Sequence, residues 1–246
     1  MSAGLPRGEE LCLRLETPEG ARELKISGAV FDCDGLLVDS ESIWLQMLAG
    51  WLEEASEEYD SDAALRPEDF LGLSVDDTAA RLVRAEGGEP SDSAGSSCQG
   101  RVREVAAQLT ERYSALLAEG VEPMPGAVEL ISELAARVPV AVASNGLRRD
   151  VTAMLDQVGI LGTVRTVCTL DDVLHGKPEP ELYLTAVGRL SIPPERAVAF
   201  EDSPAGAESA RRAGLTVVGV NQSDQVQLPL THRLKDLRQV SISTAV

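Results

Sequence analysis

The chain has 246 residues, 43% apolar and 25% charged, with a formal net charge of −18. That length can bury a large core in one big domain or two smaller ones, and the composition excludes wholesale disorder. The acidic balance argues against a nucleic-acid surface, which needs clustered Lys and Arg, and obliges an anionic substrate to meet a local cation.

Residues 1–23 are mixed in pattern and read as an N-terminal extension. Met1 to Arg22 has no basic segment followed by an apolar stretch, and no run in the chain reaches the ~18 apolar residues of a spanning helix. Ile26 to Val30 then forms an apolar run that predicts a strand. It leads straight into Phe31-Asp32-Cys33-Asp34-Gly35-Leu36-Leu37-Val38-Asp39-Ser40.

Residues 41–120 change character. Helical stretches are expected around Ser42–Glu54, Val75–Arg84 and Val102–Ala118, with no strand among them. Between the last two lies Glu86 to Gly100, rich in Gly and Ser and expected to be a mobile loop. Trp44 and Trp51, one heptad apart, read as packing residues of this helical region.

From residue 121 the pattern becomes strand, helix, strand. Short apolar runs at Val138–Ala143, Val164–Thr169, Ala197–Phe200 and Thr216–Val220 lack alternation, as strands covered on both faces do. Val151, Met154, Leu155 and Val158 fall at helical spacing, as do Leu182, Tyr183, Ala186 and Leu190. Ser203-Pro204 starts a further helix with a capping hydroxyl and a first-turn proline, and Gly214 stops it. Strands alternating with helices imply right-handed crossovers and a parallel sheet. The expected fold is α/β: a doubly wound, Rossmann-like parallel core over 24–40 and 121–240, with an inserted helical cap domain over 41–120.

Four motifs fall at the ends of these elements: Asp32 and Asp34; Ser144-Asn145 after a strand; Gly176-Lys177-Pro178 before a helix; and Glu201-Asp202 after another strand. In an open parallel sheet the C-terminal strand ends share one edge, where ligands bind. Each motif alone has a plain structural reading: a turn for Asp32/Asp34, a solvated lysine, a helix cap at Ser144. Together, in order, they point to one crevice.

On these motifs the chain, from about residue 26 to 222, resembles the haloacid dehalogenase-like hydrolase superfamily, in its phosphatase and β-phosphoglucomutase branch with a helical cap. The resemblance implies a nucleophile at Asp32 that takes up phosphorus as an aspartyl-phosphate. It implies that Asp34 protonates the leaving oxygen and then activates water. Ser144 and Asn145 would bind phosphate, and Lys177 would neutralise charge between the phosphate and Asp32. Magnesium would be held by Asp32, Asp202 and the main-chain carbonyl of Asp34, with Glu201 in support. Phosphoryl transfer depends on positioning and charge stabilisation, and hard carboxylate oxygens suit magnesium.

The branches differ at particular positions. The family's sugar-phosphate mutases carry a hinge histidine twelve positions after the nucleophile, where this chain has Trp44. They carry basic residues in a cap loop where this chain has Leu71 and Val75. Hydrolysis is therefore expected over mutase action, and Asp34 argues against dehalogenation. A non-catalytic phosphometabolite-binding protein is the alternative of another class, although Asp32, Asp34 and Lys177 are all intact.

The acidic pair Asp171-Asp172 reads as a solvated loop, Arg148 and Arg149 as exposed helix-start residues, and His175 as a loop residue with no assigned chemistry. Cys12, Cys33, Cys98 and Cys168 show no paired spacing and read as thiols of a reducing compartment. The expectation is a cytoplasmic, monomeric or weakly dimeric enzyme. It would act on a small phosphorylated metabolite and engage neither nucleic acid nor membrane.

Overall fold

The computed structural model describes residues 10–58, 65–70, 74–85 and 95–243. Two compact units result: Met1–Asp39 together with Val121–Val246, and Ser40–Gly120.

The first unit begins with two strands, β1 (Leu11–Thr17) and β2 (Gly20–Ile26), paired as an antiparallel hairpin. From Leu11 on, this corrects the expectation of a weakly patterned N-terminal extension over 1–23; residues 1–9 lie outside the described residues. Leu11, Leu13 and Leu15 are buried while Arg14 and Glu16 face out, the alternation of a strand with one wet face.

β3 (Gly28–Phe31) follows, the short apolar strand that the sequence places just upstream of Asp32. Across the excursion that follows, the chain returns at Val121. The departing and returning segments are tied, Asp39 N–H to the Glu122 carbonyl at 2.9 Å and Met124 N–H to the Leu37 carbonyl at 2.9 Å. Strands β4 (Val140–Ala143), β5 (Thr166–Cys168), β6 (Ala197–Glu201), β7 (Thr216–Val220) and β8 (His232–Leu234) complete a six-stranded sheet. Its order is β5-β4-β3-β6-β7-β8, and every pairing is parallel. A last short strand, β9 (Val240–Ile242), joins β1 in a separate antiparallel sheet.

The second unit is helical: α1 (Ser40–Glu58), α2 (Val75–Ala85) and α3 (Gly95–Glu119). Met47, Leu48, Trp51, Phe70, Leu82 and Leu109 form its core. Trp44 packs edge-on against Tyr113, ring centroids 5.2 Å apart, and the Arg112 guanidinium lies 4.7 Å over the Trp51 ring. The expected loop over Glu86 to Gly100 is shorter than its composition suggests, since α3 already runs from Gly95; residues 86–94 lie outside the described residues, as does Leu71.

Helices α4 (Ala127–Ala135), α5 (Arg148–Gln157), α6 (Glu181–Leu190) and α7 (Pro204–Arg212) belong to the first unit. Small residues let α6 and α7 pack closely on the sheet: Ala186, Ala207 and Ala210 join Ala141, Ala143, Ala197 and Ala199 in one cluster. With few aromatics available, Phe31 and Phe200 form a fully buried stacked pair beneath the site. Their ring centroids lie 4.7 Å apart on adjacent strands. Phe200→Ala should therefore destabilise the fold by about 3–5 kcal/mol, read as a lowered urea midpoint, and Phe200→Leu, which keeps more volume, should cost less. A midpoint unchanged in Phe200→Ala would remove the stack from the core's supports.

No helix among the described residues is long and apolar enough to cross a membrane.

Candidate active site

The parallel register brings four loops to one sheet edge. β3 and β6 are central neighbours, so Asp32 and the Glu201-Asp202 pair emerge side by side. β4 lies on the other side of β3 and delivers Ser144 and Asn145. Lys177 arrives from the loop before α6.

Lys177 is the hub. Its Nζ donates to Asp32 Oδ1 and, at 2.6 Å, to Glu201 Oε1. Its side chain is 4% exposed, that of Asp32 8% and that of Glu201 fully buried. Burial works to lower the lysine's pKa, but Asp32 and Glu201 outweigh it and hold the ammonium above the ordinary lysine range. Burial pushes the Asp32 carboxyl up to about 8, Lys177 opposing and Glu201 and Asp34 reinforcing the rise. Asp202 is raised as well, first by burial and then by Asp32 and Glu201.

Glu201 is saturated by protein donors. Oε1 accepts from Lys177 and from the Tyr183 hydroxyl at 2.7 Å, and Oε2 accepts from the Ser203 hydroxyl at 3.1 Å and its N–H at 3.3 Å. The start of α7 wraps this carboxylate so closely that a Cβ on Gly206 would sit 1.8 Å from Oε1. Gly35 plays a similar part for Asp202. It turns the chain after Asp34 at φ 75°, and a Cβ there would lie 2.4 Å from Asp202 Oδ2.

Tyr183 is the residue sequence reasoning missed. Helical spacing places it only on the buried face of α6. Its hydroxyl is part of the site, and Lys177 Nζ lies 5.3 Å from its ring centroid. The available signal was chemical: a fully buried phenol needs a hydrogen-bond partner, and this one lies on the first turn after the Lys177 loop.

Ser144 and Asn145, both expected to bind phosphate, also make contacts within the protein. The Ser144 hydroxyl donates to Asp34 Oδ2 at 2.8 Å and accepts from the Gly146 N–H at 2.8 Å. The Asn145 amide engages Lys177's own main chain with both its oxygen and its nitrogen. It faces the lysine loop.

Of the acidic pair, Asp171 is exposed, but Asp172 is not a solvated loop residue. Asp172 receives the guanidinium groups of Arg148 and, at 2.6 Å, Arg189, and it caps Thr169 N–H at 2.9 Å. It ties α5 and α6 to the end of β5, so Arg148 is engaged in structure. His175 Nδ1 pairs with Glu181 Oε1 at 2.7 Å, and that hydrogen bond raises the imidazole pKa at the surface.

Asp32, Glu201 and Asp202 each place a ligand oxygen within 4.8 Å of the others, so the cluster can hold a metal ion. The donor set fits a hard cation: oxygen only, largely buried, with only two of the three carboxylates, Asp32 and Glu201, paired with the Lys177 ammonium. Because Glu201 already accepts four hydrogen bonds, Asp32 and Asp202 have the freer oxygens.

The profile of one family, described as haloacid dehalogenase-like hydrolase, matches residues 29–220. The chain belongs to the haloacid dehalogenase-like hydrolases. Among its relatives, the validoxylamine A 7'-phosphate phosphatase of Streptomyces hygroscopicus subsp. limoneus is 34% identical, over 86% of this chain and 94% of its own. Hexitol phosphatase A of Escherichia coli is 30% identical over 80% and 84%. The structure of CbbY from Rhodobacter sphaeroides in complex with phosphate superposes with a TM-score of 0.67 at 26% identity, over 86% and 95%. A β-phosphoglucomutase from Clostridium difficile, at 18% identity and a TM-score of 0.66, shares the fold. Within the family, this haloacid dehalogenase-like chain is a phosphomonoester hydrolase.

Proposed function

We propose that this hydrolase is a magnesium-dependent phosphatase of small sugar or polyol phosphates, working through an aspartyl-phosphate on Asp32. The observation that carries the reading is Asp32 itself: a buried carboxylate at a strand end, paired with a buried ammonium and neighboured by Asp34 on its own loop. The names of the two relatives, validoxylamine A 7'-phosphate phosphatase and hexitol phosphatase A, support the substrate class.

Asp32 Oδ forms a bond to phosphorus as the ester P–O bond breaks. Asp34, oriented by Ser144, gives its proton to the departing alkoxide. Water then attacks phosphorus, Asp34 takes up its proton, and the Asp32–phosphorus bond breaks to release inorganic phosphate. Lys177 offsets the negative charge that Asp32 and a phosphate dianion bring together. Asp32, Asp202 and the main-chain carbonyl of Asp34 would hold magnesium, with Glu201 in support and also orienting Lys177. Bound there, the ion would supply charge stabilisation for the transferring group and favour the ionised form of Asp32.

Trp44 replaces the hinge histidine of the family's mutases, and Leu71 and Val75 replace their basic loop residues, which favours hydrolysis over isomerisation. The proposal includes a monomer or weak homodimer in a reducing cytoplasm. Cys12, Cys33 and Cys168 are free thiols.

The test is phosphate release by the purified chain from p-nitrophenyl phosphate and a panel of hexitol and sugar phosphates, with magnesium and with chelator. Product analysis with β-glucose 1-phosphate plus catalytic glucose 1,6-bisphosphate completes it. Metal-dependent release with little glucose 6-phosphate is expected. Efficient isomerisation, faster than release from any monoester, would make it a mutase; no turnover would make it a binding protein. Independently of turnover, saturating magnesium should raise the unfolding free energy by about 2–3 kcal/mol at a hundredfold excess over Kd. Asp202→Asn should lose most of that gain. An equal gain in the variant would place the ion elsewhere.

A further inference from the structure

Asn145 leaves β4 one residue after Ser144, and its side chain crosses to a loop 32 residues away. Oδ1 accepts from the Lys177 N–H at 2.8 Å, and Nδ2 donates to the Lys177 carbonyl at 3.2 Å. The amide thus holds the lysine's main chain at donor and acceptor together, as a neighbouring strand would. The approach leaves no room beside it: a Cβ on Gly176 would lie 2.6 Å from Asn145 Oδ1 and 2.5 Å from Leu170 Cδ2.

The other end of the same lysine is the buried ammonium against Asp32 and Glu201. Four flexible methylenes separate that charge from its backbone, so the ammonium is only as well placed as the main chain that carries it. Ser144, the preceding residue, donates to Asp34. Two consecutive residues at the end of β4 therefore reach two different chemical groups, one through each side chain.

The geometry points to Asn145 as a positioning residue that clamps the Lys177 main chain and does not itself hold the substrate's phosphoryl group. Gly176 is the second half of the device, since any side chain there would displace the amide. The inference rests on the phosphatase reading for its catalytic consequence, while the clamp itself has a readout that needs no turnover.

The experiment compares wild type, Asn145→Ala, Gly176→Ala and the double variant, each checked for folding by thermal unfolding. Exchange of the Lys177 amide is followed in all four. Turnover of p-nitrophenyl phosphate is measured with inorganic phosphate as competitive inhibitor. Asn145→Ala should accelerate Lys177 amide exchange at least tenfold and lower kcat roughly 10- to 100-fold, the loss expected from misplacing a charge by about an ångström. The inhibition constant for phosphate should rise far less than kcat falls. Gly176→Ala should reproduce the pattern, and the double variant should be no worse than the worse single, because both changes break one clamp.

Unchanged amide exchange would overturn the clamp. A rise in the phosphate inhibition constant equal to or greater than the loss in kcat would make Asn145 a phosphate ligand. Additive losses in the double variant would separate the two residues. Absence of turnover in wild type would sink the phosphatase reading alone, and amide exchange would still decide the clamp.

Discussion

Asp32→Asn is expected to lower phosphate release by about four orders of magnitude and to leave the fold intact. The substitution is nearly isosteric, and the amide oxygen can still accept a hydrogen bond from Lys177 Nζ. Removing the charge should not harm folding. Burial already works against ionisation of Asp32, pushing its pKa up to about 8, and Glu201 remains to pair the lysine. An amide cannot form the phosphorus bond, so activity is lost without the structure being lost. The check is kcat with p-nitrophenyl phosphate beside the thermal midpoint, in a sample shown by mass spectrometry to contain no deamidated protein. Activity within tenfold of wild type would remove Asp32 as nucleophile.

The parts of this molecule legible from sequence are those where one local pattern suffices. β3, β4, β6 and β7 are covered on both faces, so they read as unbroken apolar runs, and their shared direction implies a common edge for Asp32, Ser144 and Asp202. β1 was equally present in the alternation of Leu11, Leu13 and Leu15, but a search for continuous apolar runs passes over a strand with one wet face. β8 and β9 are three residues each and depend on the strands they pair with, so no local signal specifies them.

The site divides in the same way. Which loops meet follows from topology, and topology follows from element order. Where each side chain points does not. Asn145 turns to Lys177, Ser144 to Asp34, and Tyr183 reaches Glu201 from a helix face that spacing identifies only as buried. Asp172 sits between guanidinium groups from two helices, which the sequence separates by 41 positions, Arg148 to Arg189. Long-range ion pairs of this kind leave no periodicity to read.

Lys177→Met should be costly in both stability and rate. Methionine keeps much of the stem's volume and removes the one ammonium between Asp32 and Glu201, both buried. Breaking a buried pair from one side leaves the other charge without compensation and costs about 3–5 kcal/mol. Activity should fall roughly 10²- to 10³-fold, since a fixed cation facing the transferring group is lost. The two losses have different remedies, and that makes the prediction specific. Adding Asp32→Asn removes one stranded charge, so it should return part of the stability and none of the activity. Lys177→Arg retains the charge, but a planar guanidinium in a space filled by Tyr183, Asp32 and Glu201 should not restore the rate. Urea midpoints and kcat for the four proteins decide the matter. If Lys177→Met unfolds within about 1 kcal/mol of wild type, the lysine is paired too weakly to be the hub the geometry describes. If the double variant is less stable than Lys177→Met alone, repulsion between buried carboxylates is not what the lysine relieves.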